Sequence, residues 1–123
     1  MQPSSVVLLQ SDSEIARSLV SVLSNTFGSV QVVGSLGELR TSIAKQRGGI
    51  AILDMDSASI PDVERLSHDF PGASIVCTHR CADEEMWAAA LNAGACDMCP
   101  SSDTRGILRA AMGNASVTRS AAA

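Results

Sequence analysis

Asp54 and four cysteines are the residues whose setting in the sequence points to chemistry. Asp54 ends the run Ile50-Ala51-Ile52-Leu53, which follows the pair Gly48-Gly49. A short apolar run bounded by turn signals predicts a strand buried on both faces. Parallel sheets built from such strands present their ligand and catalytic groups just past the strands' carboxyl ends, and Asp54 stands there. Cys77-x3-Cys81 followed by Cys96-x2-Cys99 has a spacing that invites zinc. If residues 96–99 are a strand, however, the two sulfurs point to opposite faces with α-carbons ~10 Å apart. A tetrahedral site needs both at about 2.3 Å from one ion, so buried free thiols are the expectation. A thioredoxin-like role fails because its Cys-x-x-Cys opens a helix. The turn Gln10-Ser11-Asp12-Ser13 has no glycine to bring a phosphate close to the backbone, which argues against a nucleotide site. His68 and His79 stand alone and read as surface residues.

The elements that would position Asp54 alternate along the chain. Val6–Leu9 is a buried-strand candidate, and Gln10–Ser13 ends it with residues able to cap a helix. Ile15, Leu19, Val22, Leu23 and Phe27 fall at helical spacing, and Gly28 is the stop. Val30–Val33 is a short strand, and Ser35-x-x-Glu38 has capping-box spacing before a helix carrying Leu36, Leu39 and Ile43. Ile50–Asp54 is the third strand, and Ser59-Ile60-Pro61 opens the next helix. Pro71-Gly72 turns into the strand Ser74–Thr78. Asp83–Ala93 is helical and ends at Gly94, Cys96–Cys99 is the fifth strand, and Ser102 caps a helix through Met112 that stops at Gly113. Five strand–helix units at this spacing predict an α/β fold, a doubly wound parallel sheet with helices on both faces. One domain over 1–114 and a flexible tail over 115–123 are expected.

Composition narrows the function classes. The 123 residues include one Trp, two Phe and no Tyr, so the core must be aliphatic. A net charge of −4 argues against a broad nucleic-acid surface. No apolar run approaches the ~20 residues that cross a bilayer, and the N-terminus lacks a signal peptide's basic region. The expected compartment is the cytoplasm, with reduced thiols.

With Asp54 ending strand three, Thr78 ending strand four and Ala90-Leu91-Asn92-Ala93-Gly94-Ala95-Cys96-Asp97 matching an Ala-Leu-x-x-Gly-Ala-x-Asp pattern, the chain resembles a response-regulator receiver domain from Val6 to Met112. This is the flavodoxin-like module of two-component signalling. The resemblance implies a strand order 2-1-3-4-5. It makes Asp54 the phosphoacceptor candidate, and Thr78 and Ser101 the candidates for contact with the phosphoryl group. Two acidic residues that help hold Mg²⁺ fall on Gln10 and Ser11, or on Ser11 and Asp12 after a one-residue slip. The phosphoryl-binding lysine falls on Ser101, and the only lysine in the chain is Lys45. The aromatic switch residue falls on Met98, and the proline four places beyond the acceptor on Ala58. Transfer to a carboxylate brings negative charges together, and a divalent cation and a lysine offset that repulsion. The resemblance therefore implies an atypical receiver, not an enzyme, that signals by protein contact with weak or absent phosphorylation.

The alternative is an active phosphoacceptor in which Asp12, Asp54 and Asp56 hold Mg²⁺ and Arg80 or His79 replaces the lysine. The implied partners are proteins, a histidine kinase or a downstream regulator. The family's output and dimerisation face would here include Trp87, Met98 and Arg105, which makes a homodimer a further expectation. Asp54-Met55-Asp56 also fits the first motif of haloacid-dehalogenase-type phosphatases. Those enzymes need a downstream lysine and a later acidic pair; Lys45 lies upstream, and no acidic pair follows Asp83-Glu84-Glu85, which opens a helix.

Overall fold

Strands that are apolar at every position need cover on both faces, and alternation then sends successive side chains to different layers. The computed structural model describes residues 5–46 and 49–122, with side chains described through residue 113. Its elements alternate: β1 (Ser5–Leu9), α1 (Ser13–Leu23), β2 (Ser29–Val33), α2 (Leu36–Gln46), β3 (Gly49–Asp54), α3 (Ile60–Asp69), β4 (Ala73–His79), α4 (Glu84–Asn92), β5 (Asp97–Pro100) and α5 (Thr104–Ala122). All strand pairs are parallel, in the order β2-β1-β3-β4-β5, as expected. Gly48, in the predicted break before β3, and Met1–Ser4 lie outside the described residues.

The core divides by strand parity. Val7, Leu9, Ala51, Leu53, Ile75, Cys77 and Met98 pack with residues of α2, α3 and α4, including Leu39, Ile43, Val63, Leu66 and Ala90. Val6, Leu8, Ile50, Ile52, Val76 and Cys99 pack with α1 and α5 through Ala16, Leu19, Leu23, Ile107 and Ala111. Phe27 adds one buried aromatic ring to the second core, and the rest of the buried side chains there are small or aliphatic. The aliphatic side chains that fill it keep few rotamers, as interior packing favours.

The helix starts follow their local chemistry. Asp12 caps α1 by accepting the amides of Glu14 and Ile15. Ser59 and Asp62 form a reciprocal capping box on α3, with Pro61 in its first turn, and Asp83 caps α4. At α5 the cap differs from expectation. Asp103, not Ser102, accepts the Gly106 amide at 3.0 Å, and the helix begins at Thr104. Nor does α5 stop at Gly113, since its backbone stays helical to Ala122. A single glycine costs about 1 kcal/mol inside a helix, and the alanines around it have the highest helix propensity. The expected tail over 115–123 concerns side chains outside the described residues. β5 begins one residue later than predicted and ends on Pro100, which a strand paired on one side tolerates.

Gly94 closes the link from α4 to β5 at φ +111°, and a Cβ there would overlap the hydroxyl of Ser67 on α3 and lie 2.6 Å from its Cβ. Gly72 has nothing within 4 Å of the same construction. Gly94→Ala should therefore destabilise the fold by about 2 kcal/mol, a fall of several degrees in Tm, while Gly72→Ala stays close to neutral. Paired thermal melts of the two variants check this.

Candidate functional site

The C-terminal ends of β1, β3 and β4 meet at one edge of the sheet. Leu9 lies beside Leu53, and Asp54 beside Thr78. Residues 10 and 11 therefore stand next to Asp54 although 43 positions separate Ser11 from it. Asp54 is only 1% exposed. Its carboxylate accepts four hydrogen bonds from protein groups. Oδ2 accepts the Ser11 amide at 3.1 Å, the Ser11 hydroxyl at 2.5 Å and the Ser57 hydroxyl at 3.3 Å, and Oδ1 accepts the Asp56 amide at 3.1 Å. The chain turns tightly after it, with the Ser57 and Ala58 amides donating to the Asp54 carbonyl.

Burial pushes the Asp54 pKa up. The hydrogen bonds from the Ser11 side chain, the Asp56 amide, the Ser11 amide and the Ser57 side chain together outweigh it, so the carboxyl is held below its ordinary value of 3.8. The ionised form is thus the one this pocket is built around.

The other carboxylates of the edge are committed elsewhere. Asp12 Oδ1 accepts the Glu14 and Ile15 amides at 2.9 and 3.3 Å as the α1 cap. Asp56 faces His79 Nε2 at 3.4 Å and Arg80 Nε at 3.3 Å. His79 Nδ1 accepts the Cys81 amide at 3.1 Å, which leaves Nε2 to carry the proton toward Asp56. Gln10 is buried, and its Oε1 accepts the Asp12 amide at 3.0 Å. Gln10, Ser11, Asp12, Ile15, Asp56 and Arg80 line an open cleft of about 400 Å³ above this edge.

Among the described residues no three His, Cys, Asp or Glu side chains gather so as to hold one metal ion. The trio Asp12, Asp54 and Asp56 is not assembled, because one carboxylate caps a helix, one is bound by hydroxyls and amides, and one faces the Arg80 guanidinium and the His79 ring. A hard divalent ion seeks an octahedron of oxygens anchored by carboxylates, and this donor set does not fit it.

Thr78 is fully buried, and its hydroxyl donates to the Leu53 carbonyl at 3.4 Å rather than to Asp54. Ser101 is buried as well. Its amide donates to the His79 carbonyl at 3.1 Å, and its hydroxyl has no partner among the described residues. Lys45 lies at the C-terminal end of α2. On the expected partner face Trp87 is 48% exposed, its indole N–H directed at Asp97 Oδ1 at 3.3 Å, and Arg105 is exposed. Met98 is not on that face. It is 6% exposed and belongs to the core with Cys77, because its parity in β5 turns it toward the α2–α4 layer. Cys77 and Cys99 pack on opposite faces of the sheet, while Cys81 and Cys96 are exposed.

Sequence reasoning missed Ser57 and gave Ser11 no role of its own. The signal for Ser57 is its place three residues after Asp54 in a turn. Ser11 carries no local signal, because its contact depends on the pairing of β1 with β3.

No protein-family model and no curated protein matches the sequence. Solved structures do match in three dimensions. The signal receiver domain assigned to the response regulator NarL of Mycobacterium tuberculosis superimposes with a TM-score of 0.79 at 17% identity, covering 94% of this chain and 98% of that one. A chain of a CheX–CheY–BeF3–Mg²⁺ complex from Borrelia burgdorferi gives 0.78 at 15% identity, covering 91% and 89%. A Burkholderia pseudomallei response regulator with a phosphorylated aspartic acid and a calcium ion gives 0.76 at 17%, covering 98% and 73%. The chain has the receiver-domain fold. At these identities the likeness is one of architecture, and the chemistry of the edge must be argued from its own residues.

Two measurements probe the site. The folded state lowers the pKa of Asp54, so the carboxylate adds stability above pH ~4, where both states are ionised, and loses it as pH falls through the lower folded value. Urea melts should show Asp54→Asn about 2 kcal/mol less stable than the parent at pH 7, with the gap narrowing below pH ~4. Burial pushes the thiol pKa of Cys77 up to about 12 and that of Cys99 up to about 11. A thiol reagent on the folded protein near neutral pH should therefore modify Cys81 and Cys96 quickly, and Cys77 and Cys99 only on unfolding, with peptide mapping as the readout.

Proposed function

We propose that this chain is a receiver-type module of two-component signal transduction that works by protein contact, with weak or absent phosphorylation at Asp54. The observation that carries the reading is the state of that carboxylate. Oδ2 already accepts three hydrogen bonds, and the neighbouring acidic side chains are engaged in a helix cap and a cation pair. A carboxylate attacks a phosphoryl group efficiently only when cations offset the converging negative charge. Here the residue in the lysine position is Ser101, and Arg80 is paired with Asp56. Each electrostatic contact of this kind that is missing costs about 10²–10³ in rate.

In this reading the module is not an enzyme. It acts in the cytoplasm, and its partners are proteins, a histidine kinase or a downstream regulator. The contact face is the β5 edge of the sheet, which α4 flanks on one side and α5 on the other, where exposed Trp87 offers a large amphipathic ring and Arg105 a cation, residue types favoured at binding hot spots. A second copy of the chain is one candidate occupant of that face. The net charge of −4 disfavours nucleic acid as a partner of this domain.

A second reading, an Mg²⁺-dependent phosphoacceptor at Asp54, draws support from Oδ1, which among the described residues accepts only the Asp56 amide, and from Arg80 lining the cleft. The two readings part in one assay. The protein is incubated with Mg²⁺ and either beryllofluoride or a small-molecule phosphoryl donor, and intact mass and near-UV spectra are followed. Little or no change is expected. A stoichiometric gain of one phosphoryl group, abolished by Asp54→Ala, would sink the contact-only reading.

A further inference from the structure

We infer that the Ser11 hydroxyl occupies the place of a divalent cation at Asp54, so that this receiver fold completes its carboxyl edge without metal. The inference rests on the reading above and names the residue behind it. Ser11 holds one carboxylate oxygen twice, through its amide at 3.1 Å and its hydroxyl at 2.5 Å. The second contact is the shortest hydrogen bond that Asp54 makes, in the range of a hydroxyl donating to an ionised carboxylate. With the Ser57 hydroxyl at 3.3 Å, the two hydroxyls and the amide fill the acceptor capacity of Oδ2. An ion approaching that oxygen would have to displace a donor that is already in place and belongs to the chain.

The surroundings agree with that arrangement. Beside Ser11 stands Gln10, whose neutral side chain is oriented by the Asp12 amide. The two further carboxylates at this edge are each matched without a metal, Asp12 by the first turn of α1 and Asp56 by His79 and Arg80. Each carboxylate at the edge therefore has its own protein partners, hydrogen-bond donors at Asp12 and Asp54 and the Arg80 cation at Asp56. The hydroxyl donates a hydrogen bond to the buried carboxylate where a metal would supply positive charge. Ser11 is thus a positioning residue. It fixes Asp54 ionised and oriented, and it makes the fold indifferent to Mg²⁺.

Thermal unfolding of the whole chain after chelator treatment, with and without millimolar Mg²⁺ and with ionic strength matched by NaCl, tests this. The wild type should melt at the same temperature with and without Mg²⁺, within ~1 °C. Ser11→Ala should melt about 3–8 °C lower, and Ser11→Thr, which keeps the hydroxyl, should recover most of that loss. Ser11→Asp sets a second carboxylate against Asp54. It should be destabilised or unfolded in chelator and regain a cooperative, higher melt with Mg²⁺ but not with NaCl, and adding Asp54→Asn should remove that response. The inference is overturned if Mg²⁺ raises the wild-type melt by several degrees in an Asp54-dependent way. It is overturned equally if Ser11→Asp in chelator is as stable as the wild type, or if Mg²⁺ fails to restore it. An Asp54-dependent phosphoryl gain in the wild type defeats the contact reading. An Mg²⁺-dependent rise in melting temperature without such labelling defeats only the role given to Ser11.

Discussion

A carboxylate that is 1% exposed must find inside the protein what water would have given it. Asp54 does so with two hydroxyls and two amides drawn from the loops after β1 and β3. That requirement governs the whole edge. It fixes the turn from Asp56 to Ala58, whose amides donate back to Asp54, and it fixes the approach of Ser11 from the loop after the neighbouring strand. It also requires the remaining acidic side chains to find other partners. The burial that would push the pKa of Asp54 up is more than offset by donors to its charged form.

The sheet beneath makes this possible. Strand parity divides the aliphatic side chains into two cores, one under α1 and α5 and the other under α2, α3 and α4. Close packing on both faces leaves the strand ends as the only part of β1, β3 and β4 where polar groups can be collected. The same parity explains the cysteines. Cys77 and Cys99 come from adjacent strands and enter different cores, so their thiols are held as apolar fillers with raised pKa values. It also explains why Met98 is unavailable to a partner while Trp87, on the outer surface of α4, is half-exposed.

Likeness to receiver domains in three dimensions, at 17% identity or less in the structures compared, shows how far this architecture tolerates change of sequence. Strand order and helix placement depend on apolar periodicity, which many sequences satisfy. The edge depends on a few polar residues, and exchanging one of them leaves the two cores untouched.

The apolar runs of β1, β3 and β4, the helical spacing of Leu19 and Leu23, and the capping residues at Ser59 and Asp83 determined the element order and the parallel sheet from sequence alone, because each is a local pattern with one low-energy outcome. Asp54 was legible for the same reason, as the first polar residue after a buried strand. The boundaries of α5 were not, because a glycine in an alanine-rich stretch is a small cost that helix continuation absorbs. What only the tertiary structure decided was the company of Asp54. Ser11, Ser57 and the Asp56 amide meet it, Asp12 and Asp56 turn to other partners, and Met98 is turned inward. These outcomes depend on the register of β1 against β3 and on which face each strand residue takes. No local spacing encodes a contact between positions 43 residues apart until the sheet has formed.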